Sequence, residues 1–191
     1  MEIQYLHSNE GNVLDGPLLL KPNIFNDKRG FFFESWNQNI FNQSIGKEVK
    51  FVQDNHSLSK KGTVRGMHFQ TNPYQQSKLV RCISGSIFDV IVDIRKLSKT
   101  FGQWSGVQMK SSNHYQLWVP AGFAHGFLAL SEDTEVLYKV DQFRYQKHEY
   151  ILNWNDQSIG IKWPFMNEPY NLSDKDKNAS TLDEINNNDL L

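Results

Sequence analysis

Short strand-like segments divided by turn residues dominate this chain and constrain its fold more than any other feature. Between Val13 and Trp163 the segments are rich in Val, Ile, Phe, Trp and Tyr, and clusters of Gly, Asn, Asp and Ser separate them, as in GFFFESW, YQLWVP, HGFLAL and EVLYKVDQF. Such composition is typical of strands, and this spacing is typical of a sandwich or barrel. Only NQNIFNQSIG has a clear helical period. The chain is therefore predicted to be all-β with short peripheral helices.

Length, charge and cysteine content narrow the function classes. The chain has 191 residues, a hydrophobic fraction of 39% and a formal charge of -1, which fits one domain and lacks the basic surface that nucleic acid or an anionic membrane requires. Cys82 is the only cysteine, so an internal disulfide is excluded and a reducing compartment is expected. The start MEIQYLHSNE is too polar for a signal peptide, and no apolar run reaches the roughly 18 residues of a membrane span. We expect a cytoplasmic protein.

Two histidine motifs occur at strand-like positions. GMHFQ contains His68, and PAGFAHGF contains His125 in a Pro-x-Gly-x-x-His pattern. The pair resembles the motifs of the cupin jelly rolls, which offer His-x-His, a glutamate and a further histidine to a metal. Here Gln70 takes the place of the second histidine, and Gln75 and Gln76 stand where a glutamate could fall. Because a neutral amide is a poor ligand for a transition metal, we predict a cupin-like jelly roll, or double-stranded β-helix, without a metal.

Strand alternation predicts that the His68 side chain points into the barrel, while Met67 and Phe69 point the other way. A lone inward histidine is more often a hydrogen-bonded structural group. Further polar side chains lie in or beside strand-like segments: Arg65, Lys78, His125 and Tyr138. Burying each one unpaired would cost about 1–3 kcal/mol, which favours a binding cavity. Asp89 and Asp93 share a strand face in FDVIVDIR and are interpreted as structural partners for Lys or Arg rather than as an acid pair.

The chain is similar to the dTDP-4-dehydrorhamnose 3,5-epimerase family from about Pro22 to Asp176. The matching segments are IFNDKRGFFFESW, FVQDNHSLSKKGTVRGMHFQ, QSKLVRCISGSIFDVIVDIRKLSKTFGQW, QLWVPAGFAHGF, LYKV, WNDQSIGIKWP and LSDKD. The resemblance implies conversion of dTDP-4-dehydro-6-deoxy-D-glucose to dTDP-4-dehydro-L-rhamnose, by epimerisation at C3 and C5 through enolates, in dTDP-L-rhamnose biosynthesis. It also implies no cofactor and a homodimer that exchanges N-terminal strands, with residues 1–191 forming one domain and a polar tail from about residue 170.

The resemblance further implies four catalytic residues. A ketone at C4 acidifies the hydrogens on C3 and C5, so a base can remove one and the enolate can be reprotonated from the opposite face. His68 matches the base, since a free imidazole titrates close to neutral pH, and Asp176 matches the carboxylate that orients it. Tyr138 matches the proton donor. Lys78 matches the lysine near O4, where a fixed cation stabilises enolate charge.

Nine residues match the substrate-binding positions of the family: Arg29, Glu34, Gln53, Asn55, Arg65, Lys78, His125, Glu149 and Lys175. Arg29 and Arg65 are expected among the phosphate and nucleotide contacts, because guanidinium groups bind phosphates through two hydrogen bonds. Glu34 is expected to reach across the dimer to the base, and one of Phe31, Phe32 and Phe33 to stack on the thymine. Gln146 replaces a proline that is frequent in the family, a difference expected to alter a loop near the substrate mouth.

Other functions remain open from the sequence. A single-site C3 or C5 epimerase or a 3,4-ketoisomerase would use a similar barrel and the same histidine, although Tyr138 together with Lys78 favours double epimerisation. A non-catalytic sugar-nucleotide binding module would bind substrate without exchanging its hydrogens. A metal-dependent cupin oxygenase would retain metal on purification. Hydrogen exchange in deuterium oxide and metal analysis distinguish these classes.

Overall fold

The computed structural model describes residues 1–167 and 169–185. Within these residues the strands are Glu2–His7 (β1), Val13–Lys21 (β2), Phe25–Asp27 (β3), Gly30–Phe32 (β4), Gln53–Ser59 (β5), Val64–Gln70 (β6), Lys78–Ser84 (β7), Ser86–Asp93 (β8), Trp104–Lys110 (β9), Gln116–Val119 (β10), Phe123–Ala129 (β11), Thr134–Val140 (β12) and Glu149–Ile151 (β13). The helices are Gln38–Ile45 (α1) and Asp174–Lys177 (α2), and Gln146–His148 forms a 3-10 turn.

Two antiparallel sheets form the body of the molecule. The six-stranded sheet has the order β1-β2-β10-β7-β12-β5, and the five-stranded sheet has the order β13-β6-β11-β8-β9. Among the residues that the structure describes, β3 and β4 pair with each other alone, as a separate two-stranded sheet. The order alternates between distant parts of the chain, as in the double-sheet jelly roll. The predicted all-β jelly-roll class is confirmed.

The main core lies between the two sheets. It contains Leu19, Val80 and Val136 from the six-stranded sheet, and Ile91 and Phe127 from the five-stranded sheet. The opposite face of the five-stranded sheet carries a second cluster, covered by the C-terminal segment, to which Met67 and Phe69 belong. His68 therefore points inward between two residues that point outward, as strand alternation predicts.

A β-bulge in β6 places two polar side chains on the same inner face. Arg65 pairs with Phe127 and His68 pairs with His125, so two residues of β6 lie opposite the single residue Gly126 of β11. Gly66 has a φ of 126°, and a Cβ at this position would lie 2.5 Å from the Cα of Gly126. Only glycine fits such a close approach in this conformation. Simple alternation would place Arg65 and His68, three residues apart, on opposite faces of the sheet. The bulge places both on the inner face.

The helical period predicted in NQNIFNQSIG is confirmed by α1. The Asn37 side chain caps its first turn by accepting hydrogen bonds from two backbone N–H groups, and Gly46 ends it with a left-handed φ of 70°. The buried residue Phe41 packs against Trp118 on the outer face of the six-stranded sheet. Neither helix among the described residues has the length and apolar character needed to cross a membrane.

Candidate active site

A histidine–carboxylate pair joins β6 to α2. The His68 Nε2 atom lies 2.8 Å from Asp176 Oδ1, and the Ser173 hydroxyl donates to Asp176 Oδ2 at 2.8 Å. Burial alone would raise the pKa of Asp176, but hydrogen bonds from His68, Ser173 and the Gly66 backbone outweigh it and hold that pKa below its ordinary value. The carboxylate is therefore kept ionised against the ring. The structure brings these two predicted residues together across 108 positions of sequence.

A cleft of about 390 Å³ opens beside this pair. The predicted site residues that line it are Arg65, His68, Glu149, Lys175 and Asp176. A larger cavity of about 480 Å³ lies near Lys61 and Phe165, but none of the predicted site residues lines it. The position of the chemically reactive groups, and not cavity size, identifies the smaller cleft as the candidate active site.

The six-stranded sheet supplies a second group of predicted residues on its inner face. Tyr138 pairs directly with Asn55 of β5, and Val140 of β12 pairs with both Gln53 and Lys78. Residues paired directly across antiparallel strands share a face, as do alternate residues along one strand. Tyr138 packs against the main core, which shows that this shared face is the inner one. The Gln53 amide donates to Asn55 Oδ1 at 2.7 Å.

Burial shifts the pKa values of two residues on the inner face of the six-stranded sheet. This face is called the second wall of the barrel, and the inner face of the five-stranded sheet with His68 is the first. Lys78 is buried, which lowers the pKa of its ammonium group from 10.5 to about 8, although Asp141 and Glu149 act in the opposite direction. Burial is also the largest cause that raises the pKa of the Tyr138 phenol, and Glu149 raises it further. A lysine with a pKa of about 8 still carries its positive charge at pH 7, and a phenol with a raised pKa keeps its proton, so the two groups are suited to charge stabilisation and proton donation.

Glu149 connects the two walls. Its carboxylate accepts hydrogen bonds from two nitrogens of Arg144: Nε lies 3.0 Å from Oε1, and Nη2 lies 2.6 Å from Oε2. The hydrogen bond from Arg144 is the largest cause that holds the pKa of Glu149 below its ordinary value, and Lys175 and His68 contribute in the same direction. Glu149 therefore interacts electrostatically with the base on one wall, and with Lys78 and Tyr138 on the other.

A second histidine–carboxylate pair lies deeper in the barrel. The His125 Nε2 atom is 2.5 Å from Asp89 Oδ1, and both side chains are buried. Asp93 instead pairs with Arg95, through a hydrogen bond of 2.7 Å. The prediction of a Lys or Arg partner is thus right for Asp93 and wrong for Asp89. The register of β8 on β11, which the sequence does not reveal, places Asp89 opposite Phe127, two residues along β11 from His125 and on the same face of the sheet.

Two predicted substrate residues lie away from the cleft of their own chain. The Arg29 side chain is 90% exposed on the β3–β4 turn and binds Asp27. Glu34 accepts a hydrogen bond from Asn37 at the start of α1. A single chain does not bring either residue to His68, so their roles stay predictions that require a second subunit. In contrast, Arg65 lies at the cleft and is held by the Ser59 hydroxyl and the Leu58 carbonyl.

Gln70, which stands at the position of the second cupin histidine, has a structural role. The Gln70 amide donates to the carbonyls of Tyr74 and Phe143, and its oxygen accepts from the Tyr145 backbone. Gln70 thereby ties two loops at the barrel mouth. Within residues 1–167 and 169–185, no group of three or more His, Cys, Asp or Glu side chains is arranged to hold a metal ion.

Sequence reasoning missed Arg144 as a neighbour of the site. Its partner Glu149 is among the predicted substrate-binding residues. Arg144 lies in an irregular loop, where the spacing of residues does not indicate the direction of a side chain. The only signal was indirect, since Gln146 in the same loop departs from the frequent proline. Gln146 opens the 3-10 turn that leads into β13 and Glu149.

Comparison with known proteins gives one consistent family. The model of the dTDP-4-dehydrorhamnose 3,5-epimerase family matches residues 12–184. A relative from Salmonella typhimurium with the name dTDP-4-dehydrorhamnose 3,5-epimerase is 55% identical over 167 residues, which cover 87% of this chain and 91% of the relative. The match spans the cleft, both walls and α2.

Solved structures give the same result for the fold. A dTDP-6-deoxy-D-glucose-3,5-epimerase from Legionella pneumophila, in complex with dTDP-4-keto-L-rhamnose, has a TM-score of 0.91 and 38% identity, covering 99% of this chain and 97% of its own. A 3'-monoepimerase from Streptomyces bikiniensis, in complex with dTDP-quinovose, has a TM-score of 0.83 and 34% identity, covering 88% and 84%. The fold is therefore common to enzymes that act at two carbons and at one.

Proposed function

The chain belongs to the dTDP-4-dehydrorhamnose 3,5-epimerase family, and on that premise we propose how its cleft performs the reaction. The chain is an isomerase that inverts C3 and C5 of dTDP-4-dehydro-6-deoxy-D-glucose and yields dTDP-4-dehydro-L-rhamnose, in the pathway to dTDP-L-rhamnose. The observation that carries the proposed mechanism is the 2.8 Å contact between His68 and Asp176 at the cleft. It provides a base together with an ionised carboxylate that orients it and stabilises its cation.

His68 acts as the base in the proposed mechanism. Asp176 accepts the Nε2–H hydrogen bond, so the other ring nitrogen takes the proton from C3 or C5. The ionised carboxylate then stabilises the imidazolium that forms. The C–H electron pair moves into the adjacent C–C bond, and the carbonyl electrons move onto O4 to give the enolate.

Lys78 and Tyr138 complete each inversion from the second wall. The Lys78 cation stabilises the charge that develops on O4, and its buried position strengthens this interaction because little water screens it. Tyr138 donates its phenolic proton to the carbon from the face opposite His68. Removal of one proton on one side and delivery of a different proton on the other side invert the centre. His68 then releases its proton to water and Tyr138 regains one, so both groups are ready for the second carbon.

Exchange of substrate hydrogens in deuterium oxide tests this function. We expect deuterium at both C3 and C5 of the product when the protein acts on dTDP-4-keto-6-deoxyglucose, measured by mass spectrometry and NMR. Label at one carbon would assign the chain to the single-site epimerases. Binding of the nucleotide sugar without any exchange would contradict an enzymatic role.

The diphosphate and nucleotide are proposed to bind to cations at the cleft rim and to polar side chains of the walls. Arg65 and Lys175 line the cleft, and the Arg65 guanidinium is already oriented by two hydrogen bonds. Gln53, Asn55, His125 and Glu149 remain proposed substrate contacts. A titration of dTDP against the Arg65→Lys variant tests the phosphate role, because lysine keeps the charge and loses the bidentate geometry.

A homodimer is proposed to complete the site through the β3–β4 segment. This segment is exposed and carries Phe25, Phe31 and Phe32, together with Arg29. In the single chain β2 pairs with β10 of its own sheet, whereas β3 and β4 belong to neither large sheet. The β3–β4 segment is therefore the proposed element of exchange. Mixing Arg29→Ala with His68→Asn protomers tests this: restored activity in the mixture supports exchange, and a monomeric mass in solution contradicts it.

The chain is proposed to act as one domain in a reducing compartment, the cytoplasm. The described part of the polar tail packs back on the barrel, since Asp176 and Ile185 are both buried. Cys82, the single cysteine of the sequence, is buried as a free thiol. Limited proteolysis that cleaved the chain into two stable pieces would contradict the single domain.

A further inference from the structure

An ion pair between Arg144 and Glu149 lies at the rim of the cleft. The guanidinium binds both carboxylate oxygens, which is the bidentate geometry in which an arginine is most strongly oriented. The Glu149 side chain is mostly buried and lines the cleft, whereas Arg144 is about half exposed. One partner therefore faces the substrate space and the other faces the mouth.

The loop that carries Arg144 is fixed in place from both sides. Gln70 donates to the Phe143 carbonyl and accepts from the Tyr145 N–H, so its amide brackets Arg144 in the sequence. The Tyr145 ring stacks on Tyr74 of the neighbouring loop, with centroids 3.9 Å apart and an interplanar angle of 9°. These contacts hold the guanidinium opposite Glu149 before any substrate arrives.

Charged groups from four parts of the fold face the same region. His68 and Arg65 come from β6, Lys175 from α2, Asp141 and Arg144 from the loop after β12, and Glu149 from β13. Among them, Glu149 is the anion that acts on both Lys78 and Tyr138. Whatever neutralises Glu149 therefore changes the field at both groups.

We propose that Arg144 is a positioning residue for the epimerisation: its paired hydrogen bonds hold the Glu149 carboxylate at the rim and offset its charge where it faces Tyr138 and Lys78. The inference rests on the proposed function, which assigns those two residues to proton donation and to enolate stabilisation. Arg144 acts through Glu149 and needs no contact with the reacting carbons.

The sign of the pH effect follows from the charges. An unpaired Glu149 makes it harder for Lys78 and Tyr138 to lose their protons, so both keep them to higher pH. Loss of Arg144 therefore moves the midpoint of the alkaline limb, the fall of kcat/KM at high pH, to a higher pH. Loss of the Glu149 charge moves the same limb downward, and loss of both charges brings it back toward its original position.

The test compares pH profiles of kcat/KM for the full-length protein with dTDP-4-keto-6-deoxyglucose. We expect Arg144→Gln to raise the midpoint of the alkaline limb by about 0.5 pH unit and Glu149→Gln to lower it by about the same amount, with the double variant near wild type. Arg144→Lys keeps the charge and should leave the midpoint of the alkaline limb unchanged. Its kcat should fall about fivefold because the carboxylate is held less firmly. Lys21→Gln, which breaks an ion pair with Glu2 on β1 and β2, is the matched control and should change neither quantity.

The outcomes separate the inference from the proposed function. Absence of exchange in the wild type would overturn the proposed function itself. Normal wild-type exchange with an unmoved alkaline limb in both Arg144→Gln and Glu149→Gln would overturn the inference alone. If circular dichroism shows that Arg144→Gln does not fold, the other two variants still test the inference. It then requires a lower midpoint in Glu149→Gln, and an unchanged midpoint with a lower kcat in Arg144→Lys.

Discussion

Two histidines on neighbouring strands of one sheet each pair with a carboxylate, yet only His68 lines the cleft. His68 and His125 are direct cross-strand partners. The His68 side chain is 40% exposed beside Asp176 at 5%, whereas His125 and Asp89 are 8% and 0% exposed. The carboxylate for His68 comes from α2 at the rim, and that for His125 comes from the core strand β8. The comparison teaches that access to the substrate, and not the residue pair, decides which histidine can act as a base.

Substitution of the open histidine should give the largest effect. We expect His68→Asn to lower kcat about 1000-fold, since it removes the only proposed base, while the melting temperature stays close to wild type. Steady-state kinetics and circular dichroism check the two parts. A variant that kept most of its rate would end the assignment of this imidazole as the base.

Disruption of the closed pair should affect stability. Asp89→Ala leaves His125 buried without its partner, and we expect the free energy of unfolding to fall by about 3 kcal/mol in urea denaturation. Asp176→Ala at the open pair is the matched control, because water can reach the His68 ring there, and its loss of stability should be smaller. Equal losses in the two variants would remove the distinction between the pairs.

Removal of the buried cation should separate activity from stability. We expect Lys78→Met to lower kcat about 100-fold with a smaller change in substrate binding, because the enolate loses its counter-charge. The folded-state pKa of Lys78, about 8, lies below its unfolded value, so the unfolded chain binds more protons between these two values and the wild type gains stability as pH rises through them.

The methionine variant should therefore be more stable than the wild type at pH 7, by up to about 3 kcal/mol, and the gain should disappear above about pH 10. Denaturation curves at several pH values measure this, with Lys110→Met on the edge strand β9 as an exposed control. Normal turnover combined with weakened binding in Lys78→Met would contradict its role at O4.

The period of the strands was sufficient to predict much of this architecture. Alternation correctly oriented His68 against Met67 and Phe69, because one face of β6 is buried under the C-terminal segment. The helix period correctly located α1. Local pattern therefore determined element type and facing direction.

Long-range register and irregular loops lay beyond the sequence pattern. The bulge at Gly66, which aligns Arg65 with His68, is a property of the pairing with β11. The partner of His68 is 108 residues away and was identified only through the family resemblance. The partner of Glu149 lies in a loop without a period, so Arg144 was missed. These contacts depend on tertiary packing, which composition and spacing do not encode.

The most direct test of the account separates hydrogen exchange from inversion. In Tyr138→Phe, the base still forms the enolate but the opposite-face donor is gone, so we predict deuterium in recovered substrate with little inverted product. His68→Asn should show neither exchange nor inversion. Inversion at the wild-type rate in Tyr138→Phe, or persistent exchange in His68→Asn, would contradict a mechanism with one base and one donor on opposite walls of the barrel.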